Sequence, residues 1–355
     1  MKKVILKLIL CTICCILLVA GLFAWSQKDA IRDHGFERTL VNNKISYINT
    51  VPLKQEAYYF AGHDKDSIYM GNYKNPTKLL KIVLPQMDTT YIDILLAPED
   101  SIQPYKTYTV NVQPPYFYFM EGTTPILKRG KLNHWEPKRF MYDNTYFIAA
   151  LPIGEKRAAL KSVSRKTQEY ALGLEKNTDP KIELKYDILE KQIDGIFCTD
   201  GQMLFSEALS KLIYIYYYRN QFMVMNQDVE LLYRGTTIDT ISKVKIKTAT
   251  NQEGNVRKLA SPQFLVNKRT AIHNQYIYIY ATGMAKNDEL NDFKNSSTID
   301  VYDLQKKGTY SYSFRVPDFK HSKISDFLVI KNYVLTYQGN HVIVYRIHAD
   351  AIAAL

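Results

Sequence analysis

From residue 38 onward, short runs of aromatic and β-branched residues alternate with polar turns, behind one long apolar segment at the N-terminus. Tyr58-Tyr59-Phe60-Ala61-Gly62, Tyr116-Phe117-Tyr118-Phe119-Met120, Tyr276-Ile277-Tyr278-Ile279-Tyr280 and Tyr333-Val334-Leu335-Thr336-Tyr337 set the pattern. Runs of this length, bounded by Gly, Asn, Asp and Pro, predict strands and hairpin turns. They group into units. Tyr58 to Gly62, Ser67 to Gly71 and Lys78 to Val83 make the first; Tyr116 to Gly122 and Ile126 to Gly130 the second. Tyr146 to Leu151, Ala158 to Val163 and Gln168 to Leu172 make the third; Ile213 to Tyr218, Phe222 to Asn226 and Val229 to Arg234 the fourth. Tyr276 to Gly283, Ser297 to Leu304 and Thr309 to Phe314 make the fifth; Lys323 to Ile330, Tyr333 to Tyr337 and His341 to Ile347 the sixth. No segment sustains a helical period. Phe205 to Leu212, with Ser206 as cap, and Asp187 to Ile193 are the short helical candidates.

Six units over roughly 310 residues average about 50 residues each, the size of a four-stranded propeller blade. The expected fold is therefore all-β, a β-propeller of six blades preceded by one N-terminal transmembrane helix. Uneven spacing leaves seven blades, or a pair of sandwiches, as alternatives. Arg38 to Val51 has strand character ahead of the first unit, and in a propeller it would complete the last blade and close the ring. The division is 1–26 signal anchor or signal peptide, 27–37 linker, 38–348 propeller and 349–355 C-terminal tail.

Leu8 through Trp25 carries no charge and follows Lys2, Lys3 and Lys7. Eighteen helical residues reach about 27 Å, close to the hydrocarbon thickness of a bilayer. The lysines stay on the cytoplasmic side and place the body outside the cytoplasm. Ala24-Trp25-Ser26 is a tolerable cleavage site, but bulky Trp25 and the length of the segment favour an uncleaved anchor.

Composition adds three points. The chain holds 28 Tyr against 15 Phe and 2 Trp. Tyr suits half-buried pleated surfaces, so all-β packing accounts for it, a glycan- or peptide-stacking surface being the alternative. The net charge is +11, and the three N-terminal lysines leave +8 spread over the rest, without the dense patch that nucleic-acid binding needs. Lys243-Val244-Lys245-Ile246-Lys247 reads as a strand with one solvated lysine face. Cys11, Cys14 and Cys15 lie in the apolar segment, so Cys198, in the strand-like run Ile196-Phe197-Cys198, is alone in the body and forms no disulfide within it. It reads as a buried, inert thiol.

Catalytic signatures are missing: no G-x-S-x-G elbow, no H-E-x-x-H pair, no phosphate-cradling loop. His63-Asp64-Lys65-Asp66 and Thr199-Asp200-Gly201 read as turns, since neither continues with the ligands a calcium loop requires. His134-Trp135 is the best exposed aromatic–imidazole pair, with Trp135 read as a loop anchor. A calcium-dependent propeller hydrolase would need Asp and Asn converging on the channel, for which Asp194, Asn220 and Asn274 are candidates. No residue is assigned a catalytic, cofactor or metal role.

Ser297-Thr298-Ile299-Asp300-Val301-Tyr302-Asp303-Leu304 followed by Gly308-Thr309-Tyr310-Ser311-Tyr312-Ser313-Phe314-Arg315-Val316-Pro317 resembles a blade hairpin of the TolB-like and NHL-like six-bladed propellers, those of the Bacteroidetes envelope above all. The likeness is specific over about 20 residues and rhythmic over residues 38–348. It implies a propeller fold and an exported or membrane-attached body. The expected function is a non-catalytic binding or scaffold module, carried by a single-pass anchor in a bacterial inner membrane with its body on the periplasmic or extracellular side. Its expected partner is an envelope protein, a peptide or a glycan, engaged through irregular loops such as Gly130 to Tyr142 and Met284 to Ser296. A lactonase- or esterase-like hydrolase is the alternative.

Overall fold

The computed structural model of the chain describes residues 2–30, 33–98, 107–141, 145–178, 181–246, 248–250, 257–259 and 263–348. Helix α1 (Lys2–Ala30) contains one apolar stretch, Lys3–Leu22, of mean hydropathy 2.8, long enough to cross a membrane and wholly unburied by the rest of the chain. A helix apolar all round has no polar face to turn to water.

Strand β1 (Ile45–Pro52) comes first along the chain. After it the chain folds into antiparallel meanders. They are β2 (Tyr58–Asp64), β3 (Ser67–Asn72), β4 (Lys78–Val83) and β5 (Asp88–Asp93); then β6 (Thr109–Gln113), β7 (Tyr116–Glu121), β8 (Ile126–Lys131) and β9 (Lys138–Arg139). The third has β10 (Ala149–Gly154), β11 (Arg157–Val163), β12 (Tyr170–Lys176) and β13 (Ile182–Lys185); the fourth β14 (Gly201–Ser206), β15 (Lys211–Tyr216), β16 (Gln221–Met225) and β17 (Leu231–Thr236). A hairpin of β18 (Thr248–Thr250) and β19 (Arg257–Leu259) follows. The fifth has β20 (Asn267–His273), β21 (Tyr276–Ala281), a helix α2 (Leu290–Asn295), β22 (Ser296–Asp303) and β23 (Thr309–Pro317). The last has β24 (Ile324–Ile330), β25 (Tyr333–Gln338) and β26 (His341–Ile347), and β1 supplies its fourth strand, paired from Ile45↔Ile347 to Pro52↔His341. The ring-closing role expected of Arg38 to Val51 therefore falls to β1.

Apolar clusters lie between successive meanders all the way round, including one that joins the last meander to the first through Leu335, Val342 and Val344 against Ile68, Met70 and Ile82. Central strands thus bury both faces: on β7, Phe117 and Phe119 pack toward the first meander, while Tyr118 and Met120 pack toward the third. This is why such strands read as unbroken apolar runs rather than alternating ones. The opening strands of neighbouring meanders adjoin one another at the centre. Gly62, at φ +140, lets β2 touch β6: a Cβ there would stand 2.1 Å from the Val112 carbonyl oxygen. The architecture is a β-propeller.

Every meander starts at the same end of the ring. The connections between meanders and the turns between second and third strands share that entry face; the other turns share the far face. A strap, residues 33–44, joins α1 to β1. It starts on the entry face, where Asp33 bridges Met284 and His34 Nδ1 lies 2.8 Å from Asp239 Oδ2. Arg38 is buried and donates to Asp288 at 2.5 Å, to Asp300 at 2.8 Å and to the Gly283 carbonyl at 3.0 Å. Burial alone would lower its pKa, but Asp300 and Asp288 more than offset this and hold it above the ordinary arginine value. Leu40 then bridges Ser313 on the outer strand β23.

Some expectations fail. Phe205 to Leu212 is not a helix: Phe205 and Ser206 end β14, a turn follows, and Leu212 lies in β15. Ser206 instead accepts from the Leu209 N–H and donates to the Asn274 carbonyl. Residues 187–193 form irregular chain. Lys243 to Ile246 is not a strand, although Val244 and Ile246 are buried and Lys243 and Lys245 exposed as the alternation implied; Lys247 lies outside the described residues. Ile196-Phe197-Cys198 is a bend and turn, with Cys198 buried and its Sγ donating to the Asp194 carbonyl. The polar segment Met284 to Ser296 contains α2, a helix the sequence did not announce. Tyr142 and residues 349–355 lie outside the described residues.

Replacing Arg38 by Met removes the charged partner of the buried Asp300 carboxylate and leaves it, among the described residues, only the Ser313 hydroxyl. Denaturant unfolding should show a loss of about 3–5 kcal/mol, the usual cost of orphaning one member of a buried pair; a loss below about 1 kcal/mol would contradict this role.

Candidate functional site

At the entry face the central channel opens into a cavity of about 690 Å³, lined by Tyr59, Tyr73, Gln202, Tyr217, Arg269 and Asp326, with Glu56 and Asn340 at the rim. They come from the first, fourth, fifth and last meanders. Tyr59, Gln202, Arg269 and Asp326 stand on the opening strands β2, β14, β20 and β24, whereas Tyr73 and Tyr217 stand on the β3–β4 and β15–β16 turns.

The Tyr59 and Tyr73 rings lie 4.5 Å apart, inclined by 32°. Tyr59 is held by the Val110 N–H, which donates to its hydroxyl at 2.7 Å, and by Gly71, where a Cβ would come within 2.2 Å of the ring. Tyr73 is about half exposed and presents its ring to solvent. Burial pushes the phenol pKa values of Tyr59, Tyr73 and Tyr217 up, so all three are neutral hydroxyls. Tyr58, beneath the same rim, is pushed up to about 12, first by burial and then by Tyr91.

Arg269 donates from Nε to the Ser325 carbonyl at 2.9 Å and from Nη1 to the Lys268 carbonyl at 3.1 Å. Among the described residues it makes no ion pair, so its planar face and remaining N–H groups serve the cavity. Gln202 is oriented by donating to the Lys268 carbonyl and accepting from the Thr270 hydroxyl. The Asp326 carboxylate accepts from the Phe60 N–H at 2.9 Å and from its neighbour Phe327 N–H at 3.0 Å. These are two planar groups and one carboxylate lining the same cavity as an aromatic pair. The set can take up several hydroxyls at once and stack an apolar ring face.

The other candidates do not converge. Asp194, between β13 and β14, accepts from the Ile196 and Phe197 N–H groups; Asn220, between β15 and β16, donates to the Asp239 carbonyl. Both are on the entry face, whereas Asn274, in the β20–β21 turn at φ +52, is on the far face beside His273. They cannot share one ion. Among the described residues no group of three or more His, Cys, Asp or Glu is placed to hold a metal. His63 and His273 belong to the far end of the channel, their pKa values lowered by burial. Of the expected turn His63 to Asp66, His63 and Asp64 end β2 and Lys65-Asp66 make the hairpin turn, with Lys65 at φ +52. Trp135 packs against Phe117 at 4.7 Å and Tyr69 at 5.5 Å as a loop anchor, leaving His134 exposed. Thr199-Asp200-Gly201 is a turn in which Asp200 pairs with Lys161 at 2.6 Å.

No family model and no curated protein matches the chain. Solved structures do. A protein of unknown function from Bacteroides thetaiotaomicron aligns over 86% of this chain and 76% of its own, at 11% identity and a TM-score of 0.51. A member of the DUF4221 family from Bacteroides vulgatus aligns over 86% and 98%, at 10% identity and a TM-score of 0.53. Virginiamycin B lyase from Staphylococcus aureus aligns over 86% and 100%, at 12% identity and a TM-score of 0.47. The two Bacteroides proteins bear out the likeness to Bacteroidetes propellers, as a likeness of fold alone.

Enclosure by the channel wall raises the pKa of Asp326, against the opposing pull of the Phe60 N–H, Arg269 and the Phe327 N–H. The folded chain therefore holds this proton more tightly than the unfolded one. Its contribution to stability is complete below the unfolded carboxyl's pKa and is lost as pH rises through the raised folded value. Measured relative to Asp326→Asn, the denaturant midpoint should fall with rising pH across that window; a difference that stays constant with pH would refute this assignment.

Proposed function

We propose that this chain is a membrane-anchored propeller whose six meanders are its blades and which binds a glycan, without catalysis, at the entry-face mouth of its channel. The carrying observation is the composition of that cavity. A sugar offers an apolar C–H face, which stacks on tyrosine, and adjacent hydroxyls, which pair with planar bidentate groups. Tyr73 over Tyr59 provides the first, and Arg269, Gln202, Asp326 and Asn340 the second. The volume lies within the range of sites that enclose a small ligand. Helix α1, uncharged from Leu8 to Trp25 and preceded by lysines, supports an uncleaved anchor with the body on the periplasmic side. No observation favours the hydrolase reading, because its candidate ligands divide between opposite faces.

Tyr73 is the cleanest probe, since it contributes a ring to the cavity while its side chain makes no hydrogen bond among the described residues. On a panel of bacterial surface oligosaccharides, followed by intrinsic tyrosine fluorescence, the full-length protein should bind at least one member. Tyr73→Ala should weaken that binding about tenfold with the unfolding transition unchanged, the equivalent of one aromatic contact. Binding that survives Tyr73→Ala intact, or release of product from a lactone or ester panel, overturns the reading.

A further inference from the structure

The distribution of exposed apolar side chains is one-sided. On the entry-face loops stand Tyr73, Leu95, Ile148, Ile193, Phe264 and Leu290, each more than a third exposed. They are spaced around the ring from the first meander to the fifth, on turns and on connections between meanders. Those not on this face, Tyr47, Tyr91, Leu231 and Leu232, lie on the outermost strands β1, β5 and β17. Among the described residues, no large apolar side chain is exposed in the turns of the far face. Scattered exposed apolar residues need no explanation, but a circlet confined to one face of a ring does.

The chain path says what lies opposite that face. The strap is pinned to it at Asp33, His34 and Arg38. Only residues 31 and 32 separate Asp33 from the end of α1, so the helix terminus is within about 11 Å of the entry face along the chain. Eight further residues of helix, about 12 Å, lead back to Leu22 at the end of the apolar stretch. A face tethered this closely experiences the bilayer at very high effective concentration. The charges interspersed there are mixed, Lys243, Lys245 and Lys286 among Asp187, Glu190 and Glu289. Attraction must then come from apolar and aromatic side chains entering the interface rather than from surface potential.

We propose that the entry face rests on the leaflet from which α1 emerges, seated by this circlet, so that the channel mouth opens onto the lipid headgroups. The inference rests on reading α1 as a membrane span. It sharpens the ligand class to a lipid-borne glycan, presented from the membrane rather than from bulk solution. The far face, with His63, His273 and the polar hairpin turns, points away.

The test uses the full chain, with Cys11, Cys14, Cys15 and Cys198 replaced by Ala, reconstituted in vesicles of phosphatidylethanolamine and phosphatidylglycerol that carry headgroup nitroxide lipid. A fluorophore is placed singly by Ile193→Cys or Leu290→Cys on the entry face, by Lys156→Cys or Asn274→Cys on the far face, and by Val19→Cys in α1. The expected result is strong quenching at Val19, several-fold more quenching at the entry-face sites than at the far-face sites, and a drop at Leu290 when Ile193 and Phe264 are made Ser. If the Val19 label is unquenched, the anchor reading fails and this inference falls with it. If Val19 is quenched but both faces are quenched alike, or neither is, this inference alone is overturned. Entry-face labels shielded from aqueous iodide yet untouched by nitroxide lipid would mean that a second copy of the chain covers the face, and would also overturn it.

Discussion

The opening strands of the ring cannot hydrogen-bond to one another along their length. They meet at the centre and splay apart, and among the described strands the only ladder contact between neighbours is Gly62↔Val112. Each central edge would otherwise leave amide and carbonyl groups without partners, at a cost the fold cannot carry repeatedly. Side chains from the neighbouring meander satisfy them. Tyr59 accepts from the Val110 N–H, and Asp326 accepts from the Phe60 N–H. Arg269 covers the Ser325 carbonyl, Gln202 the Lys268 carbonyl, Gln113 the Pro152 carbonyl and Lys161 the Gly201 carbonyl. The apolar clusters outside this hub are non-directional; the hub sets how one meander is placed against the next.

Four of these edge-capping residues, Tyr59, Gln202, Arg269 and Asp326, are also the wall of the cavity. Structure and the proposed recognition therefore draw on one set of side chains. Their orientations are fixed by these hydrogen bonds, which would lower the ordering cost of binding there. The same overlap means that substitutions at Arg269 or Asp326 disturb the ring as well as the mouth, whereas Tyr73, which caps no strand edge, does not.

Much of the fold was legible because central strands such as β7, β15, β21 and β25 bury both faces and leave unbroken apolar runs. The outer and opening strands were not. β5 (Asp-Thr-Thr-Tyr-Ile-Asp) is mostly exposed, and β9 is only Lys138–Arg139. β14 mixes Gln202 with Met203, Leu204 and Phe205 because one side faces a polar channel; the helix read over Phe205 to Leu212 spans the end of β14, its turn and the start of β15, and pairing between those strands decided otherwise. The cavity was illegible for a related reason. Arg269, Gln202 and Asp326 sit singly in three separate opening strands, with no local motif, and only ring closure brings them together. Tyr59 and Tyr73 belonged to a recognised strand and its turn, yet nothing local showed their rings adjacent. The available signal was a polar residue recurring early in the first strand of successive units.

The strap has a mechanical consequence. β1 is both the closing strand of the ring and the strand that follows α1 along the chain, so a pull on α1 directed through β1 alone would act on the ring at its seam. Between them lie the Asp33–Met284 bridge, the His34–Asp239 contact and the buried Arg38 with its two carboxylates. A pull arriving through α1 would be delivered into the fifth meander, through contacts that must shear together, before it reached the β1–β26 ladder. The strap would then work as strain relief on a cable: tension on α1 meets the fifth meander before it can peel the circle open at its seam.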